Sequence, residues 1–175
     1  MAENELAAAA RAVLAVCQKK KLTLATAESC TGGLVAATLT EIPGSSFVFD
    51  RGFVTYSNEA KQQMLGVPPT LIDTYGAVSA ECAEAMAKGA VAHASVQLAI
   101  SITGIAGPAG AVPGKPIGLV FFAAASRSGR LIGREHRYGD IGRNKVREKS
   151  ALEALSMLRE LAESEEPHPP AEGVG

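Results

Sequence analysis

Residues 22–37 read L-T-L-A-T-A-E-S-C-T-G-G-L-V-A-A, and the way this stretch folds decides the rest of the chain. Leu22, Leu24 and Ala25 have the makings of a short apolar strand, while Leu34, Val35 and the run Ala37 to Leu39 have the composition of a buried helix. The chain must therefore turn between Glu28 and Gly33. That turn carries a carboxylate, the hydroxyls of Ser29 and Thr31, the thiol of Cys30 and the adjacent glycines Gly32 and Gly33. A helix start presents backbone N–H groups without intrahelical partners and a partial positive charge, so an anion or a developing oxyanion is stabilised there. Gly32 and Gly33 would let the backbone approach a ligand closely. The plainer alternative is that Ser29 or Thr31 only caps the helix, which either does well.

Outward from this turn, helical and extended patterns alternate. Leu6, Ala10, Val13 and Cys17 fall at helical spacing, and the run Lys19 to Lys21 reads as a solvated helix end. Beyond the turn, the helix must stop by Pro43 and Gly44, and Phe47 to Tyr56 reads as a second strand with a bulge near Arg51 and Gly52. Ser57 or Asn58 caps a short helix through Leu65, closed by Gly66, Pro68 and Pro69; Ser79 caps a longer one ending near His93. Val96 to Ile102 is a buried strand opening into a second glycine-rich turn, Thr103 to Gly110. Pro116 to Ala125 and Leu131 to Tyr138 form a strand pair, and a last helix starts near Arg143, with Arg143 and Arg147 on one side of its first turns. The predicted fold is α/β: a three-layer α/β/α sandwich with a mostly parallel, mixed sheet. Residues 1–163 are expected to form a single domain, and residues 164–175 a disordered tail with almost nothing to bury. Ligands of such sheets bind beyond the carboxyl ends of the strands, so the turns after Ala27, Tyr56 and Ile102 converge if those strands are parallel.

Composition narrows the function. A formal charge of -1 across 175 residues gives no overall electrostatic reason to bind nucleic acid or an anionic membrane. Cys17, Cys30 and Cys82 have no C-x-x-C spacing, which points to a reducing compartment without a disulfide framework. The first residues lack the basic region of a leader, and no apolar run is long enough to span a bilayer, so a cytoplasmic location is expected.

A serine needs a neighbouring base to become a nucleophile. None of His93, His136 and His168 lies in a polar turn, which argues against a Ser-His-Asp arrangement. Lys61 does lie at a polar strand-to-helix junction, and a lysine acts as a base once burial lowers its pKa. Ser29 with Lys61 is the dyad these residues can form, with Tyr56 relaying a proton or holding Lys61. By residue type alone, Lys61 reads more simply as an exposed helix lysine. Cys30 is the rival nucleophile, since a thiol at a helix N-terminus can ionise easily. Thr103 and Gly104 could bind substrate, and Arg143 or Arg147 could clamp a phosphate or carboxylate.

A-E-S-C-T-G-G at 27–33, V-T-Y-S-N-E-A-K at 54–61, G-A-V-S at 76–79, T-G-I-A-G-P at 103–108 and K-P-I-G at 115–118 together resemble the CinA C-terminal domain family, over roughly Leu6 to Leu161. The resemblance implies a nicotinamide-nucleotide amidohydrolase of the stand-alone form, converting nicotinamide mononucleotide to nicotinate mononucleotide and ammonia. It implies Ser29, Lys61 and Tyr56 as the catalytic residues. Cys30, Thr31, Gly32, Gly33, Thr103, Gly104 and Arg143 would form the substrate cleft, with neither metal nor cofactor. The expected partner is thus a small nucleotide substrate, not nucleic acid or membrane, with homo-oligomerisation left open. The family's G-D-R run is altered here, Asp140 being followed by Ile141 and Gly142 before Arg143. Two alternatives remain: a nucleotide-binding or regulatory module without turnover, and an amidase or esterase acting on another phosphorylated small molecule.

Overall fold

The computed structural model describes residues 4–169. Five strands form one sheet, in the order β2-β1-β3-β4-β5: β1 Leu24–Glu28, β2 Phe49–Val54, β3 Leu98–Gly104, β4 Leu119–Ser126 and β5 Leu131–Arg137. β1 runs parallel to both β2 and β3, whereas β4 pairs antiparallel with β3 and with β5, so the sheet is mixed. Helices α1 (Glu5–Lys20), α2 (Leu34–Thr40) and α6 (Arg143–Ser164) cover one face, and α3 (Asn58–Leu65), α4 (Pro69–Tyr75) and α5 (Ala80–Ala94) the other.

Strand periodicity explains the two cores. Leu98, Ile100 and Ile102 alternate with Ala99 and Ser101; the large residues pack against α1 and α6, the small ones against α5. Small side chains on that face let α5 lie close to the sheet, and Ser101 Oγ donates to the α5 carbonyl of Ala83 at 2.5 Å. The anticipated bulge is real. Leu24 pairs with Phe49 but Ala25 with Arg51, so Asp50 is the extra residue on β2.

Three local expectations need correcting. Pro68 and Pro69 do not merely end α3: Pro69 is the first residue of α4, where its missing N–H has no intrahelical partner to lose. Lys20 is not a solvated helix end, because its Nζ donates to the carbonyls of Ala162, Glu163 and Glu165 at 3.0, 2.8 and 2.7 Å, capping the C-terminus of α6. The residues just past α6 are held by the same contacts: Ser128 Oγ donates to the Glu165 carboxylate, and His168 N–H donates to Lys20 O at 2.8 Å. Residues 170–175 of the expected tail lie outside the described residues. No helix among the described residues is long and apolar enough to cross a membrane.

α3 is held against α5 at one close crossing, where a Cβ on Gly89 would collide with the carbonyl of Leu65. Lys61 and Leu65, one turn apart, are the buried residues of α3. Gly89→Ala should therefore destabilise the fold by about 1–3 kcal/mol through overpacking. Urea unfolding checks this; an unchanged midpoint would mean that the crossing is not tight.

Candidate active site

The parallel half of the sheet brings the carboxyl ends of β1, β2 and β3 to one edge, as the convergence argument requires. Alternation along β1 then sorts two adjacent side chains. Glu28 turns to the α2 side, where its carboxylate accepts from the amides of Val35 and Ala36 at 2.9 and 3.0 Å and from Thr31 Oγ at 2.7 Å. Ser29 falls on the opposite side, facing α3. Its N–H donates to Ile102 O of β3 at 3.0 Å, which ties the turn to the neighbouring strand.

On α3, Ser57 caps the helix by accepting from Ala60 N–H at 3.0 Å, and the first turn carries Lys61 inward. Lys61 is 1% exposed. Its Nζ lies 3.1 Å from Ser29 Oγ, 2.9 Å from Thr55 O and 3.4 Å from Tyr56 O. Burial lowers its pKa from the ordinary lysine value. No carboxylate among the described residues pairs with it to oppose that shift.

Ser29 and Lys61 open onto a cleft of about 250 Å³ lined also by Cys30, Tyr56, Asn58, Ala77, Val78, Arg143 and the loop from Thr103 to Gly110. No lining residue is a carboxylate, and the Arg143 guanidinium stays charged there whatever the state of Lys61. Such a cleft favours an anionic ligand. Arg143, the first residue of α6, donates to Gly107 O at 2.8 Å and to the Tyr56 hydroxyl at 2.9 Å. Arg147, one turn on, donates instead to Cys30 O and Thr31 O at 3.2 and 3.0 Å. It braces the Ser29 turn, and Arg143 is the guanidinium that faces the cleft.

The geometry redistributes several anticipated roles. Thr31, Gly32 and Gly33 do not line the cleft. The α2 amides are taken by Glu28, while Gly32 N–H donates to Ser29 O and Leu34 N–H to Thr31 O. Thr103 does line the cleft, but its hydroxyl donates to Ala77 O at 2.8 Å, holding the opposite wall. Gly104 is glycine because β4 comes close: a Cβ would lie 2.7 Å from Val120 Cγ2. The Tyr56 side chain, 61% exposed, reaches Arg143 with its hydroxyl, and only its backbone carbonyl approaches Lys61. Asn58, Ala77 and Val78 are cleft residues that residue-type reasoning passed over, although they sit inside the motif blocks at 54–61 and 76–79. Among the described residues no cluster of three or more His, Cys, Asp or Glu could hold a metal ion.

Comparison with known proteins gives a consistent family. The profile of the CinA C-terminal domain matches residues 6–162. A CinA-like protein of Citrifermentans bemidjiense is 52% identical over 138 residues, covering 79% of this chain and 33% of that protein. The chain thus spans about a third of the length of the curated relatives it matches. The crystal structure of the competence/damage inducible protein CihA from Agrobacterium tumefaciens superposes with a TM-score of 0.89 at 46% identity, covering 92% of this chain and 98% of that one. A competence damage-inducible protein from Klebsiella pneumoniae gives 0.87 at 34% identity, covering 93% and 100%.

Cys30, the rival nucleophile, is pushed up to about 11 by burial, so at neutral pH it is a thiol and not a thiolate. Alkylation by iodoacetamide at pH 7.5 should therefore be slower at Cys30 than at free cysteine by about tenfold or more. Mass spectrometry of the Cys30 peptide over time tests this, and rapid alkylation would reinstate the thiol as a nucleophile.

Proposed function

The chain belongs to the CinA C-terminal domain family, and from its cleft we propose that it hydrolyses the carboxamide of nicotinamide mononucleotide to nicotinate mononucleotide and ammonia, with Ser29 as nucleophile and Lys61 as base. The observation that carries this reading is the 3.1 Å approach of a buried lysine to the serine hydroxyl.

Three oxygens surround Lys61 Nζ, and they differ in kind. The carbonyls of Thr55 and Tyr56 can only accept, so they take the two N–H bonds of a neutral amine. In that neutral form the remaining direction, toward Ser29 Oγ at 3.1 Å, is left to the nitrogen lone pair. Ser29 O–H donates to that lone pair, Oγ bonds to the carboxamide carbon, and the proton held on Nζ passes to the departing nitrogen as the C–N bond breaks. Ammonia leaves an acyl group on Ser29. Water then gives a proton to the same amine, attacks the acyl carbon and restores the hydroxyl.

Thr31 to Gly33 do not line the cleft, so the proposed oxyanion draws on other donors. Ala106 and Gly107 line the cleft, and on this reading their backbone N–H groups, for which no backbone acceptor is found among the described residues, serve as donors to the oxyanion. Arg143 takes the 5′-phosphate, exchanging its bonds to Tyr56 and Gly107 for a charge-assisted pair. On this reading the nucleotide should be preferred over free nicotinamide.

Purified protein incubated with nicotinamide mononucleotide should release ammonia and the acid product, and far less from free nicotinamide. Ser29→Ala should lower kcat by about a thousandfold or more while leaving the fold intact. Tight nucleotide binding without ammonia would instead make this a binding module. The pH profile follows from the sign of the Lys61 shift: the amine is a base only when deprotonated, so kcat/KM should rise with pH through an ionisation below the usual lysine range and fall away on the acid side. A rate independent of pH across that limb would remove Lys61 as the base. Arg143→Ala should raise KM by about tenfold with a smaller effect on kcat, and an unchanged KM would place the phosphate elsewhere.

A further inference from the structure

Two of the motif blocks, Gly76 to Ser79 and Lys115 to Gly118, have no part in the chemistry above, yet they meet in space. Lys115 Nζ donates to Tyr75 O at 2.6 Å, at the C-terminal end of α4. A carbonyl at a helix end carries partial negative charge, which makes an ammonium a fitting partner. Gly76 follows directly, with φ of 82°, and a Cβ there would lie 2.5 Å from Lys115 Nζ. Glycine is thus required by the backbone turn, and it leaves the space that the lysine amine occupies.

From this contact the two cleft walls diverge. On one side, Ser79 Oγ donates to Gly76 O and Thr103 Oγ to Ala77 O, each at 2.8 Å, so Ala77 and Val78 are held at the cleft edge. On the other side, Val112 and Lys115 exchange backbone hydrogen bonds of 3.1 and 2.9 Å. The chain then returns to Gly118, whose N–H donates to Ile105 O at 2.7 Å. Ile117 packs on Gly107, where a Cβ would lie 2.6 Å from its Cγ2. Residues 105–118 are therefore a loop closed at its base. Its inner residues, including Gly107 and Ala109, line the cleft, and among its side chains Lys115 is the one that hydrogen-bonds to the facing wall.

We propose that Lys115 is a positioning residue, a latch between the 105–118 loop and the end of α4 that fixes the cleft width and so favours a ligand touching both walls. For the ligand this rests on the mononucleotide reading above; for the latch it rests on the Lys115 to Tyr75 contact and the glycine beside it. Removing the amine frees the loop at its outer end, and the wall against which a nucleotide is seated no longer has one position. A small reagent that meets only Ser29 is indifferent to that wall.

The test compares Lys115→Met and Lys115→Arg with the parent protein in three measurements. Lys115→Met should raise KM for nicotinamide mononucleotide by about tenfold with little change in kcat, and Lys115→Arg should recover part of the loss. The rate at which a small fluorophosphonate labels Ser29 should stay within about twofold of the parent. Amide hydrogen exchange should speed up in residues 75–79 and 105–116 and nowhere else. An unchanged KM, or labelling and exchange altered throughout the protein in step with turnover, would overturn the latch. If the parent protein does not turn over the mononucleotide, the functional reading fails by itself and exchange decides the latch: local acceleration supports it, and none refutes it.

Discussion

An ammonium ion taken out of water without a counter-charge costs several kcal/mol, and a protein that buries a lysine in this way holds it more cheaply as the neutral amine. Lys61 is in that position: almost fully buried, with two carbonyls and a hydroxyl around its nitrogen and no carboxylate paired with it among the described residues. Burial is the largest influence and lowers the pKa, while the nearby Cys82 and Cys30 thiols pull it the other way. In the proposed mechanism the two carbonyls direct the hydrogens of the neutral amine and its lone pair is left to the serine. The rest of the site is arranged to keep these two side chains in register.

Several fold features serve that register. Glu28 occupies the start of α2 and so fixes the turn from which Ser29 projects. Arg147 reaches back from α6 to hold the carbonyls of Cys30 and Thr31. Gly89 lets α3 sit close enough to α5 for Lys61 to be sealed from water. Each acts through backbone position and not by touching the cleft. Arg143 joins three separate segments at the cleft rim, linking α6 to the loop at Gly107 and to the strand end at Tyr56.

Much of this could be read along the chain, because the relevant patterns are local. Alternation of large and small residues in Leu98 to Ile102, the cap at Ser57 and the glycine at 66 each mark their element without help from distant residues. The convergence of three turns followed from parallel strands. Partner choice was not legible. Thr103 looked like a ligand-binding hydroxyl, but its acceptor is Ala77 O, 26 residues away, and nothing local marks that pairing. Glu28 offered a carboxylate beside a helix start, and the contest for those amides between a ligand and the chain's own side chain is settled by the direction in which β1 alternates. The contact between Lys20 and Glu165 has no local mark, because the two residues are 145 positions apart.

The central claim is that Lys61 gives up its proton more readily than an ordinary lysine, and it can be measured without substrate. Nuclear magnetic resonance of protein carrying isotope-labelled lysine side chains, with Lys61→Met to assign the signal, follows the titration of this amine directly. The account predicts a midpoint below the ordinary lysine value of about 10.4, with the deprotonated form already present where the other lysines are still charged. A Lys61 signal that titrates with the surface lysines, or above them, would leave Ser29 without its base and contradict the account.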